Sequence, residues 1–142
     1  MIRTFSDDVT KLVERRMHDI VNGIATSFGC TARIELTKDY PPLVNNAVQT
    51  KICVSVLEDL VGADAVEANV RPTMSAEDFA HMLQVMPGCH VFIGNGSGVH
   101  RHPGRALGPC SLHNGSYDFN DELPPVGATY RVRLAENILA SR

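Results

Sequence analysis

The side chains able to do chemistry gather between Gly94 and Pro124, a stretch with no helical or strand periodicity. Its centre is the run Leu112-His113-Asn114-Gly115-Ser116-Tyr117-Asp118-Phe119-Asn120-Asp121-Glu122, one imidazole among polar groups able to orient it. A metal-ligating histidine needs its second ring nitrogen hydrogen-bonded, and a nearby carboxylate or carbonyl supplies that partner. The plainer reading is an Asn-Gly turn followed by an Asp-Phe-Asn-Asp cap, with the histidine incidental, and spacing alone favours it. His100 and His102 form a His-x-His pair, and closely spaced imidazoles can share one zinc ion. Gly98, Arg101 and Pro103 surround that pair, and solvated loop histidines are the commoner case.

Glu77 and Asp78 stand where a helix is expected to begin. Carboxylates are favourable there through the helix dipole, without any catalytic duty. The alternative makes Glu77 a group lying beside a metal. Gly94-Asn95-Gly96-Ser97-Gly98 has the composition of a phosphate cradle, but not the lysine of a P-loop or the spacing of a dinucleotide fingerprint. No Gly-x-Ser-x-Gly elbow occurs, and no Cys-x-x-Cys pair.

The elements that must carry these groups are legible in part. Ser6, Asp7 and Asp8 open a helix whose Val9, Leu12, Val13, Met17, Ile20, Val21, Ile24 and Phe28 recur at helical spacing, predicting a buried stripe that ends at Gly29. Ala32, Ile34 and Leu36 alternate with Arg33, Glu35 and Thr37, the pattern of a strand, and residues 2–5 read as the end of another. Pro41-Pro42 marks a domain boundary. A second helix is expected after Asn45 or Asn46, with Val48, Ile52, Val56, Leu57 and Leu60 on one face, and then a short strand over 66–70. Ser75 opens a third helix with Phe79, Met82, Leu83 and Met86 on its core side, stopped by Pro87-Gly88. Residues 89–93 read as a strand buried on both faces. A last helix begins near Pro125 and turns Val126, Tyr130, Leu134, Ile138 and Leu139 inward.

Composition limits the partners. The chain has 142 residues, 44% of them apolar, enough to bury a core. Its formal charge of −3 provides no basic field for nucleic acid or anionic lipid. No apolar run reaches the length of a membrane span. Cys30, Cys53, Cys89 and Cys110 are widely spaced, which predicts a reduced, cytoplasmic setting with Cys53 and Cys89 as small core residues.

Five segments together resemble the C-terminal portion of the aminoacylase and carboxypeptidase type of metallohydrolase, most of all its bacterial N-acyl-amino-acid and hippurate amidohydrolases. They are Arg3-Thr4-Phe5 leading into Val13-Glu14-Arg15-Arg16-Met17, then Tyr40-Pro41-Pro42-Leu43-Val44-Asn45, Met74-Ser75-Ala76-Glu77-Asp78-Phe79, and Val91-Phe92-Ile93-Gly94-Asn95-Gly96. The fifth and most specific is Leu112-His113-Asn114 with Tyr117-Asp118-Phe119-Asn120-Asp121. The resemblance covers essentially the whole chain in order. Two departures stand out: Ser75-Ala76 replaces the usual Gly-Gly or Gly-Ser, and Ser111 stands where methionine is common.

The resemblance implies an α/β fold. Residues 1–41 would be half of a ferredoxin-like α+β lid that makes a dimer contact (strand, helix, strand), and residues 42–142 the C-terminal part of a zinc-peptidase-like α/β catalytic domain. It implies a metal-dependent amidohydrolase acting on N-acyl amino acids of the hippurate kind, with two divalent ions (Zn, Mn, Co or Ni). His113 resembles the last metal-binding histidine, and Glu77, Asp78 and Asn114 would lie at the rim of the active site. The other ligands and the glutamate general base would come from N-terminal segments that this chain lacks, so no catalytic residue is expected here. Two ions demand several converging donors, and one histidine cannot hold them. The chain would therefore be a fragment inactive alone, its partner either a second copy or the missing N-terminal part. Two other readings follow: a non-catalytic dimerisation module, or the product of a truncated gene.

Overall fold

A computed structural model of the chain describes residues 2–98, 101, 112–115 and 117–140. Four α-helices lie among them: α1 (Asp7–Ser27), α2 (Ala47–Val61), α3 (Phe79–Leu83) and α4 (Leu123–Ala140), with a 3-10 turn at Ala63–Ala65. The chain divides into two compact units, Met1–Thr50 with Asn69–Cys89, and Lys51–Ala68 with His90–Arg142.

In the first unit, α1 forms as its end signals dictate. Ser6 is extended and its hydroxyl accepts the Val9 amide at 3.3 Å, while Asp7 and Asp8 occupy the first turn. At the other end the Cys30 amide donates to the Ala25 carbonyl at 2.8 Å and the Gly29 amide to that of Thr26 at 3.0 Å. This double closure needs a left-handed residue, and Gly29 supplies it with φ of 67°. The chain then runs back along the helix, where Lys38 pairs with Glu14 at 2.9 Å.

The periodicity of α1 is as expected, but its burial is not. No α1 residue is buried, and Val9, Leu12, Ile20, Ile24 and Phe28 are between 45% and 80% exposed. A 3.6-residue period records that a face is apolar; what covers it is a separate matter. The strands read at residues 2–5, 32–37, 66–70 and 89–93 are likewise absent, for the described residues carry helices, turns and extended backbone but no strand. Alternation marks one segment's two faces, whereas a strand exists only when a neighbour completes its ladder. No such ladder joins these segments among the described residues. The segment read as doubly buried is also open, with Phe92 and Ile93 exposed.

The start of α2 is anchored within the first unit. Asn46 accepts the amides of Val48 and Gln49 on Oδ1, at 2.9 and 3.4 Å, and donates its own amide to the Gly88 carbonyl at 3.0 Å. Gly88 also lies close against the side chains of Leu83 and Phe79, because a Cβ there would sit 2.9 Å from Leu83 Cδ2 and 3.3 Å from Phe79 Cζ. The expected helix from Ser75 is shorter than its pattern: α3 starts at Phe79, its buried residue is Ala80, and Met82 and Met86 point outward. Instead of capping, Ser75 meets the Thr73 hydroxyl at 3.1 Å, and Asp78 makes no side-chain cap.

Among the described residues of the second unit, those buried are Cys53 and Val56 of α2 and Tyr130 of α4. Gly127 lets α4 pass close to the incoming chain, since a Cβ there would sit 3.3 Å from Ile93 Cδ1. α4 starts at Leu123, two residues before Pro125, and takes both Pro124 and Pro125 in its first turn, where a missing amide costs no helical bond. Ile138 and Leu139, expected inside, are exposed.

Candidate functional site

A polar arrangement in the second unit is built on Asn95. Its Nδ2 donates to the Asp118 carbonyl at 2.7 Å and its Oδ1 accepts the Asn120 amide at 3.0 Å. A primary amide is the side chain that offers a donor and an acceptor in one plane, as a peptide group does. Bonding the carbonyl before Phe119 and the amide after it reproduces the pattern of a parallel ladder partner. One side chain thus stands in for a strand. Gly96 (φ 78°) turns the chain away directly afterwards.

Asn120 is held from its other side by α4. Its Oδ1 accepts the Glu122 amide at 3.1 Å, and its carbonyl accepts that of Leu123 at 3.0 Å, so it caps the helix. Between Asn120 and the His113 turn, the rings of Tyr117 and Phe119 meet edge to face, with centroids 4.8 Å apart and planes at 85°. The Tyr117 amide donates to the Asn114 carbonyl at 3.0 Å, closing a turn after His113-Asn114.

His113 is exposed and its φ is 67°, the described non-glycine residue in the left-handed region. Such a residue carries a backbone cost that persists only where its surroundings enforce it, and these positions cluster at functional sites. Asn114, beside it, is half-buried.

Glu77 and Asp78 are neighbours in the first unit, before α3. Glu77 is half-buried and its carbonyl accepts the Ala80 amide at 3.2 Å; Asp78 is exposed and accepts the His81 amide at 3.0 Å. His81 meets the Asp39 carbonyl at 2.9 Å and its ring lies 5.9 Å from that of Tyr40, fixing α3 to the segment before Pro41. An open groove of about 520 Å³ borders the start of α2, lined by Val44, Asn46, Leu83, Val85, Met86 and Gly88 among others. It contains none of the four residues proposed for the site. His100, His102 and Cys110 lie outside the described residues.

A pair of divalent ions takes several anionic or imidazole donors. Among the described residues no three His, Cys, Asp or Glu side chains come together as a metal ion would require. The exposed imidazole of His113 is chemically suited to one ligand position, but the described residues do not make up a dinuclear centre.

The sequence shows Asn95 only within a glycine-rich run of phosphate-cradle composition, and nothing in that run marks its amide as the partner of backbone groups 23 and 25 positions away. The signal available was its offset from the Asp-x-Asn it binds, which spacing alone does not mark as a contact.

The chain is 28% identical over 134 residues to a hippurate hydrolase of Campylobacter jejuni, an alignment covering 94% of this chain and 32% of that protein. It is 32% identical over 94 residues to an N-acetyldiaminopimelate deacetylase of Lacticaseibacillus casei, covering 66% and 24% of the two chains, and 30% identical over 122 residues to one from Enterococcus faecalis, covering 85% and 29%. The chain therefore spans about a third or less of the length of these relatives. No solved structure matches it. The model of peptidase family M20/M25/M40 matches residues 4–116, which is most of the chain, and the chain belongs to that family.

Proposed function

We propose that this chain is the C-terminal part of a metal-dependent amidohydrolase that cleaves the amide bond of N-acyl amino acids. The relatives named for hippurate and for an N-acetylated amino acid support the substrate class. The observation that carries the reading is His113: an exposed imidazole held at φ 67° in front of a turn that the Tyr117 amide closes on the Asn114 carbonyl. Its role is to lend one nitrogen to a centre of two divalent ions (Zn, Mn, Co or Ni). Asn114, Glu77 and Asp78 belong to the rim. Residues 1–41 form part of a lid and residues 42–142 part of an α/β catalytic domain, the remaining ligands and the general base coming from the portion of the relatives that this chain does not align with. No helix among the described residues is long and apolar enough to cross a membrane, and the reading places the protein in the cytoplasm.

The test is release of free amino acid from N-acyl substrates in the presence of Zn, Mn, Co or Ni, with this chain alone and with the remaining segment supplied in trans. Turnover only in the second case supports the reading; turnover by this chain alone contradicts it. A second reading, a dimerisation module without chemistry, is favoured by the exposed apolar stripe of α1. A dimer that never gains activity on adding the segment would select it.

A further inference from the structure

We infer that Asn95 is a positioning residue for the His113 turn, an inference that rests on the proposed role of His113 but is testable apart from it. Three observations carry it. Asn95 bonds the backbone on both sides of Phe119 and is part-buried there. The segment it grips is continuous with the turn, since Tyr117, one residue before the gripped carbonyl, donates its amide to Asn114. The turn holds His113 at φ 67°, a conformation that has to be imposed on a residue with a Cβ.

The downstream end is fixed independently, by Asn120 capping α4. Removing Asn95 therefore frees the stretch between the turn and Asn120 while leaving the helix start in place. A carboxylate cannot replace the amide: it accepts the Asn120 proton but turns an anionic oxygen toward the Asp118 carbonyl, where a donor is required.

The experiment uses the full chain and the variants Asn95→Asp and Asn95→Leu. Amide hydrogen exchange is followed at Asn120 and Tyr117, with Val9 to Ala25 of α1 as the folding control, and the His113 ring signals are followed by nuclear magnetic resonance before and after adding zinc. Both variants are expected to speed exchange at Tyr117 and Asn120 tenfold or more, with α1 unchanged, and to shift the His113 ring signals already in the absence of zinc. Unchanged Tyr117 exchange and unchanged His113 signals in Asn95→Asp would overturn the inference, whatever zinc does. If the variants behave as expected while zinc leaves the His113 signals of the unaltered chain unmoved, the positioning role stands and the ligand role of His113 falls.

Discussion

The Asn95 side chain accepts the backbone amide of Asn120 at 3.0 Å across 25 positions of sequence, in a part-buried setting. With the second bond to Asp118, this contact ties the glycine-flanked Asn95 to the segment leading into α4. The chemistry proposed for His113 depends on it, because an exposed side chain on a short turn is placed only as well as the backbone beneath it.

The cap of α4 is separable from the clamp. Asn120→Ala keeps the backbone amide that Asn95 receives but removes the oxygen that accepts from Glu122. It is expected to lower stability by about 1 kcal/mol, whereas Asn120→Asp stays within a few tenths, by urea titration of each variant.

His113→Gly relieves the left-handed backbone cost. The variant is expected to gain about 1 kcal/mol in the same titration, and His113→Val to lose at least as much, since a branched Cβ suits φ 67° poorly. Both lose whatever metal affinity the imidazole provides. A more stable but metal-indifferent variant would display strain held for function; equal stability of Gly and His would refute the strain.

Ala80 is 1% exposed, the most buried residue of α3. Ala80→Leu adds volume where there is none and is expected to destabilise by about 1–3 kcal/mol. Ala80→Gly tests the helix instead and is expected to cost about 1 kcal/mol.

The open face of α1 has an expectation of its own. If it is a contact between copies, Ile24→Glu shifts the chain toward monomer in sedimentation while changing its folding stability by no more than about 0.5 kcal/mol, because Ile24 is half exposed. A monomeric unaltered chain would remove the dimer reading.

How far the sequence could be read depended on whether each signal was local. Ser6, Gly29 and Asn46 mark helix ends through bonds within a few residues, and each stands where its chemistry required. Leu36 and Phe92 belong to alternating or apolar runs that find no ladder among the described residues, because pairing is decided by a second segment. Phe28 and Ile20 sit on the apolar stripe as read, yet exposed, because period does not reveal a cover. His113 stood out in the sequence by its polar neighbours, but only the family resemblance favoured it as a ligand; its φ of 67° and the grip of Asn95 on Asp118 and Asn120 are three-dimensional facts.

The most direct test of the proposed function is the metal content of the purified chain, measured by elemental analysis after equilibration with zinc and removal of loosely held ions. A chain that brings His113 alone to a two-ion centre retains fewer than two ions, and reaches two only when the remaining segment is added. Two tightly held ions on this chain by itself would contradict the account.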